Sequence, residues 1–383
     1  MMPAEAQLRL LDATDARVLA SLVADPLGSF EQLGESAGLS PSGTLKRIRK
    51  LVESGILSKE FVRSQVNYAA VGLETVVVLV DSRPAMWKAM EAACDAHPYT
   101  QYRIRVMGSV NGFLVVFSIP AFSMALLLEF LSRLKELGVI ESYSVHQPVS
   151  SWGHSETKFS GYDPVANSWK FSWDEWEAKI EGSLGTHPLP SASILHKLDQ
   201  TDIGILRALS IDSRGEKKTL AEKLGIKDYE LSRRLRFVTD SGLVSFHRVT
   251  HETGILGIAM TIALKCKAPL DYTGRVLNSA SEFPFQGSFY PLEDGFLLIA
   301  NIPPGDVTSL VTLMQRHCES VELMWGDYNS SMKYFFDNEP SNFSAGRWNT
   351  DQRYVVEAPI EDIGNLIADA KTAGLQPKRS ERS

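Results

Sequence analysis

The sequence predicts an α+β protein made of two consecutive copies of one unit, in which three helices and a strand pair precede a β-α-β-β-α-β domain. One observation is an internal repeat: "LLDATDARVLASLV" near the start returns as "KLDQTDIGILRALS", with Leu11 matching Leu198 at an offset of 187 residues. The offset holds without a gap for nearly fifty positions and pairs Arg47 with Arg234. A second observation is that short apolar strands and two helices alternate in the same order after each copy of this segment.

The composition is that of an ordinary globular protein. The chain has 383 residues, of which 44% are hydrophobic and 22% charged, and its formal net charge is −7. No run of about 18 apolar residues occurs, so no membrane span is expected. No secretory signal is expected either, and three dispersed cysteines indicate reduced thiols, so the predicted location is cytoplasmic.

Motifs for bound metals or cofactors are missing from the sequence. His247 and His251 are four residues apart, but they fall in a segment interpreted as strand and loop, which favours surface or packing roles over a metal site. No glycine-rich phosphate loop or nucleophile elbow is found. We therefore expect no metal and no cofactor.

The third helix of the first copy has clear ends. Ser40 is a good N-cap and Pro41 suits the first helical position, while Ser54 and Gly55 end the helix. Its apolar positions, which are Leu45, Ile48, Leu51 and Val52, have the spacing of a core-facing stripe. Three helices followed by a strand pair in each copy predict a winged helix-turn-helix, whose third helix is shaped for the major groove of DNA.

These segments resemble the Lrp/AsnC (feast/famine) family of transcription regulators. "LDATDARVLASL" and "LDQTDIGILRAL" are similar to the opening helix of that family, and "LGESAGLSPSGTLKRIRKLVESGIL" is similar to its helix-turn-helix. The resemblance covers residues 8–147 and 195–330. It implies a pseudo-dimer within one chain, and it leaves a small-molecule effector and a further homodimer open. Asn111 stands where the second copy has the acidic Asp294 that the family often carries, so no ligand is named.

The predicted domains follow from the repeat. They are a winged helix-turn-helix at 8–70, a ferredoxin-like domain at 73–148, a Trp-rich linker at 149–194, a second winged helix-turn-helix at 195–254, a second ferredoxin-like domain at 256–335 and a C-terminal extension at 336–383.

The predicted DNA contacts lie on recognition helices 41–53 and 228–240. Between Ser40 and Asn67 six basic residues face two acidic ones, whereas between Lys227 and Glu252 five face four, so the first copy is expected to bind more strongly. Arg47 and Arg234 are the candidates for guanine or phosphate contact. The complete set of candidates is Ser42, Thr44, Lys46, Arg47, Arg49, Lys50, Arg63, Arg233, Arg234 and Arg236.

The Trp-rich linker contains four of the seven tryptophans, which is unlike a flexible linker. We expect its rings, those of Trp152, Trp169, Trp173 and Trp176, to pack over the first ferredoxin-like sheet, with an aromatic ligand cage or a protein-binding patch as the alternative. "SWDEWEAKIEG" predicts a helix capped by Ser172. The basic tail "QPKRSERS" is expected to be disordered.

The sequence therefore predicts a double-stranded-DNA-binding transcription regulator that is not an enzyme. One alternative is a tetrapyrrole enzyme similar to the siroheme decarboxylases, which share this architecture; Tyr102, Arg103, Arg105 and His146 are its candidate residues. The other alternative is a protein-interaction adaptor with vestigial winged helices.

Overall fold

A computed structural model describes residues 11–336 and 338–375 of the chain. They form a mixed α+β structure that divides into two compact units. Among the described residues, the first unit holds those up to Asn67 together with Pro148–Ser191 and Gly204–Leu323. The second holds Tyr68–Gln147, Ala192–Ile203 and the described residues from Met324 onward. Each unit thus combines segments from both predicted copies.

The helices are α1 (Ala13–Ala24), α2 (Phe30–Ala37), α3 (Pro41–Glu53), α4 (Trp87–Ala96), α5 (Met124–Glu136), α6 (Trp173–Gly182), α7 (Gln200–Ile211), α8 (Lys217–Leu224), α9 (Asp228–Asp240), α10 (Leu270–Asn278), α11 (Val307–His317), α12 (Ala358–Glu361) and α13 (Gly364–Leu375). The strands are β1 (Leu57–Val66), β2 (Leu73–Asp81), β3 (Thr100–Gly108), β4 (Gly112–Pro120), β5 (Ser142–His146), β6 (Gly153–Ser155), β7 (Tyr162–Asp163), β8 (Ser168–Trp169), β9 (Val244–His251), β10 (Met260–Lys267), β11 (Gly287–Leu292), β12 (Gly295–Ile302), β13 (Ser320–Gly326), β14 (Met332–Lys333), β15 (Phe343–Ser344) and β16 (Arg347–Trp348).

In the first unit, α1, α2 and α3 form a helix-turn-helix with side-chain caps. Asp12 accepts from the amides of Thr14 and Asp15, and Ser40 caps α3 through the amide of Gly43. At Gly34 a Cβ would lie 2.7 Å from the Leu39 carbonyl, so only glycine allows α2 to approach the following turn this closely. Buried leucine and isoleucine side chains fill the space between the helices, among them Leu19, Leu22, Leu33, Ile48 and Leu51.

The strand after each helix-turn-helix pairs differently from the expectation. We expected a separate two-stranded ribbon in each copy, and this is wrong: β1 of the first copy pairs with β9 of the second as one antiparallel ribbon. Arg63 lies opposite Arg248 in this ribbon. The strand that follows β1, which is β2, has nine residue pairs with β4 instead. β2 is an unbroken apolar run, which is typical of a strand buried on both faces and not of an edge strand in a wing.

The sheet of the second unit has the strand order β5-β2-β4-β3 and follows the sequence β-α-β-β-α-β. Every residue of β4 is buried, and Phe113, Phe117 and Phe130 have no exposed surface. The last three residues of β13 and the short β14 add to β3. In the first unit, β10, β12, β11 and β6 lie side by side in that order.

The Trp-rich segment packs on the second ferredoxin-like part, so the expectation that it covers the first sheet is wrong. Trp176 is 1% exposed and its indole nitrogen donates to the Ser279 carbonyl at 3.2 Å. Trp173 donates to Asp306 Oδ1 at 2.9 Å, and α6 lies against α10 and α11. The predicted Ser172 cap of α6 is confirmed by its bond from the Glu175 amide. Burial of large rings, together with a partner for each indole N–H, fixes this position.

Each unit also contains a small hairpin held by one tryptophan. In the first unit Trp169 lies 5.7 Å from the Phe159 ring and donates to the Leu256 carbonyl at 2.8 Å. In the second unit Trp348 lies 4.9 Å from the Phe343 ring and donates to the Val71 carbonyl at 2.7 Å. Both acceptors directly precede a glycine with φ of 71°. The two extensions therefore use one arrangement twice.

The predicted tail at 376–383 lies outside the described residues. Within residues 11–336 and 338–375, no helix has the length and apolar character needed to span a membrane.

Replacing Trp348 or Trp169 by phenylalanine leaves the carbonyl of Val71 or Leu256 without its indole donor. We expect each substitution to lower the free energy of unfolding by about 1–3 kcal/mol, because a buried acceptor loses its partner. Urea unfolding measures this. Trp325→Phe, at a position 37% exposed, is the control and should change stability by less than about 0.5 kcal/mol.

Candidate nucleic-acid interface

The outer face of α3 carries three exposed cations, Lys46, Arg49 and Lys50. None of them has an ion-pair partner among the residues that the structure describes. Ser42 is also exposed, and its hydroxyl lies 3.3 Å from that of Ser40. The inner face, with Ile48 and Leu51, is buried. These cations are therefore available to a polyanion without breaking a contact.

Arg47 is engaged with α1. Its Nη1 lies 2.5 Å from Asp12 Oδ2 and 3.0 Å from Asp15 Oδ1. Burial opposes ionisation of Asp12, but the amide of Asp15 and the Arg47 guanidinium outweigh it and lower the pKa of Asp12. Asp15 has no exposed surface, so Arg47 compensates a buried carboxylate. The predicted contact of Arg47 with guanine or phosphate would have to be made by a guanidinium whose Nη1 already serves these two carboxylates.

Thr44 was predicted to contact DNA, and its position corrects this. The residue is 0% exposed and its hydroxyl donates to the Ser40 carbonyl at 3.0 Å. Thr44 precedes Ile48 by one helical turn and so shares its core-facing side. Thr44 therefore stabilises the first turn of α3 and is not exposed to a ligand.

The paired strands contribute fewer cations than expected. Arg63 is partly buried on β1, its Nε donates to the Glu60 carbonyl at 3.3 Å, and burial lowers its pKa. Arg248, opposite it, is 8% exposed and bonds to Glu156 at 2.7 Å. Lys59 is exposed at the start of the ribbon. Of these three, Lys59 is the basic residue most open to solvent.

The second recognition helix, α9, presents a smaller basic face. Arg233 and Arg236 are exposed, whereas Arg234 bonds to Glu230 within the helix at 3.1 Å. Tyr229 is 71% exposed near the helix start, beside the acidic Asp228. The two helices thus differ in the number of exposed basic residues as well as in the net charge that the sequence predicted.

The two histidines considered as metal ligands have other contacts. His251 is buried and lies 2.9 Å from the Thr157 hydroxyl, and burial lowers its pKa to about 4. His247 lies 3.1 Å from the Ser64 hydroxyl. Across the described ranges, no group of three or more His, Cys, Asp or Glu side chains could hold a metal ion.

The ion pair between Asp15 and Arg47 was not predicted from the sequence. A signal for it was present, because the repeat preserves both members: Asp15 and Arg47 match Asp202 and Arg234 at the same offset. A basic residue that recurs together with an acidic residue is as consistent with an internal ion pair as with a surface contact.

Comparisons with known proteins give two kinds of similarity. Residues 11–52 match the AsnC-type helix-turn-helix domain. Curated proteins give no match. Among solved structures, the siroheme decarboxylase NirDL is 12% identical, with a TM-score of 0.50, over 93% of this chain and 99% of that chain. LrpC of B. subtilis is 17% identical, with a TM-score of 0.32, over 37% of this chain and 97% of that chain. An AsnC family transcriptional regulator from Agrobacterium tumefaciens is 20% identical, with a TM-score of 0.32, over 37% of this chain and 92% of that chain.

The match to NirDL corrects one expectation. We expected from the sequence that the chain is not an enzyme, and this is contradicted, since an enzyme has a similar fold over its full length. At 12% identity the match establishes the fold alone. The chain therefore carries an AsnC-type helix-turn-helix domain at residues 11–52, within an architecture that NirDL shares from end to end.

Proposed function

We propose that this protein binds double-stranded DNA and regulates transcription, with α3 entering the major groove and α9 as a second, weaker reading helix. The observation that carries the proposal is the set of three unpaired cations, Lys46, Arg49 and Lys50, on the outer face of α3 in the matched domain. Ionic contact with phosphates releases counterions and supplies affinity, while base edges supply specificity. Ser42 and, on α9, Arg233 and Arg236 complete the proposed surface.

The net charge of −7 is compatible with this proposal. A negative protein is repelled by DNA except where a local basic face is presented, so binding is confined to that face. The acidic first turn of α9, with Asp228 and Glu230, weakens the field at the second helix. We therefore infer that α3 supplies most of the affinity.

We also infer that the chain arose by tandem duplication and acts as an internal pseudo-dimer. The offset of 187 residues supports this. So do the antiparallel pairing of β1 with β9 and the repeated tryptophan arrangement at Trp169 and Trp348. A duplicated regulator would offer two reading helices from one polypeptide and need no second chain to do so.

Removing the three cations tests the DNA proposal. We expect Lys46→Ala, Arg49→Ala and Lys50→Ala together to weaken binding to a mixed-sequence duplex roughly tenfold to a hundredfold at moderate salt, because phosphate contacts are lost. The slope of log affinity against log salt should fall by about 2–3, as measured by fluorescence anisotropy. Lys135→Ala, an exposed lysine on α5, is the matched control. Equal affinity of the triple variant and the control would exclude α3 as the DNA-binding surface.

Arg47 is predicted to act through stability. Arg47→Ala removes the Arg47 guanidinium from the buried Asp15 carboxylate and should lower the free energy of unfolding by about 3 kcal/mol. Lys46→Ala, one residue away and exposed, should change it by less than about 0.5 kcal/mol. Hydrogen exchange of α1 and α3 amides measures both. If Arg47→Ala keeps wild-type protection while DNA affinity falls, Arg47 contacts DNA directly.

A tetrapyrrole enzyme is the second candidate, favoured by the full-length similarity to a siroheme decarboxylase. Its predicted arginines are already satisfied within the second unit. Arg103 is 6% exposed and bonds to Asp95 at 3.0 Å and to the Tyr334 hydroxyl at 2.8 Å. Arg105 bonds to Glu91 at 2.7 Å. Substrate carboxylates would have to displace these bonds, which makes this candidate the weaker one.

Titration with siroheme separates the two candidates. Under the DNA-binding proposal, the absorbance spectrum of siroheme should be unchanged by the protein, while the protein is retained on immobilised duplex DNA and released by salt. A saturable spectral shift accompanied by loss of carboxylate carbon as CO₂ would favour the enzyme.

A further inference from the structure

The turn between α7 and α8 of the second copy lies directly on the first helix-turn-helix. This turn, residues 212–215, is called the clamp turn here. The amide of Ser213 donates to the Val62 carbonyl on β1 at 2.8 Å, and its hydroxyl lies 2.8 Å from that of Ser64. All these residues belong to the first unit. The second copy is therefore attached to the first through residues other than those of β9.

Arg214 anchors the clamp turn to the first helix-turn-helix through several side-chain contacts. Its Nε donates to the Pro26 carbonyl at 3.1 Å, and its Nη2 donates to the carbonyl of Gly28. The guanidinium also lies 5.4 Å from the ring centre of Phe30 and 6.0 Å from that of Phe61. A single side chain thus contacts the α1–α2 turn, the start of α2 and strand β1. Bidentate donation from a rigid fork is geometry that lysine does not supply.

Both turns are shaped for this contact. A Cβ at Gly28 would crowd the Asp25 carboxylate and lie 3.3 Å from the Asp25 carbonyl oxygen, so a larger residue in the turn that presents the two carbonyls would have to displace the Asp25 side chain. The Arg214 amide donates to Asp212 Oδ1 at 2.9 Å, which fixes the clamp turn from the other side. The residue that matches Arg214 in the first copy is Leu27, which is 46% exposed. The first copy therefore has no arginine at this position to make the equivalent contact with the second copy.

A ribbon of two strands is a weak attachment by itself. Two-stranded sheets twist more than wide sheets and are marginally stable. The β1–β9 pairing also has register shifts near both ends. A second anchor at the clamp turn opposes rotation of one helix-turn-helix about the ribbon.

We infer that Arg214 is a positioning residue that holds α3 and α9 at one separation, so that the chain selects paired DNA half-sites of one spacing. The inference rests on the proposed DNA-binding function. When two linked elements reach their sites together, the second binds at a high effective concentration, and the gain is lost when the geometry varies. The separation of half-sites reports the separation of the recognition helices.

Selection from a random duplex library tests this inference with the full chain. Wild-type protein should enrich two half-sites at one spacing, whereas Arg214→Ala should enrich the same half-sites with a broad range of spacings. Affinity of Arg214→Ala for the wild-type paired site should fall about tenfold or more, while affinity for a single half-site stays within about twofold. Arg214→Lys keeps the charge but loses the fork and should behave like the alanine variant. Arg83→Ala, which removes a surface arginine 76% exposed, is the charge control.

The outcomes separate the two proposals. If wild-type protein enriches no sequence and does not bind duplex DNA, the proposed function fails. If it enriches single half-sites only, or if Arg214→Ala keeps the narrow spacing, DNA binding stands and the role of Arg214 is overturned. If Arg214→Ala does not fold, as judged by circular dichroism, Arg214→Lys and Ser213→Ala give the same test with smaller changes.

Discussion

The antiparallel pairing of β1 with β9 is the interaction on which the first unit depends. It joins a strand of the first copy to a strand of the second, so the two helix-turn-helix elements share backbone hydrogen bonds. Because β1 has no second strand of its own copy, its unpaired edge would otherwise be exposed, which is a liability for any isolated strand. Pairing with β9 satisfies that edge.

Individual basic residues near the first recognition helix have different roles. Arg47 and Arg214 carry the same charge as Arg49, yet both are used inside the protein. Arg47 compensates the buried Asp15, and Arg214 caps the carbonyls of Pro26 and Gly28. A cation that makes an internal bond is costly to remove and poorly placed for DNA. Lys46, Arg49 and Lys50 are exposed and make no such bond among the described residues. Counting basic residues on a helix therefore overstates the surface that a ligand can use.

The two units also have a tryptophan arrangement in common. In each unit one indole donates to the carbonyl that precedes a glycine with positive φ, and each ring packs on a nearby phenylalanine. The backbone bond gives the ring a fixed orientation, and burial of the ring gives the extension its stability. The extensions are thus integral parts of their units. A full-length fold similar to that of NirDL is compatible with either proposed activity, because function resides in the site and not in the fold.

The sequence by itself determined the repeat, the α+β class and the local elements. The predicted helices 41–53 and 228–240 are α3 and α9 with those bounds, since caps, apolar spacing and terminal glycines are local signals. Only the tertiary structure decided that β1 pairs with β9, that the Trp-rich segment packs on α10 and α11, and that Arg47 pairs with Asp12 and Asp15. Partner choice depends on which distant surfaces meet, and neither helical periodicity nor residue type encodes that meeting. Local signals determine where helices begin and end and where turns form. The burial of Asp15 and the contacts of Arg214 arise only when separate segments pack together.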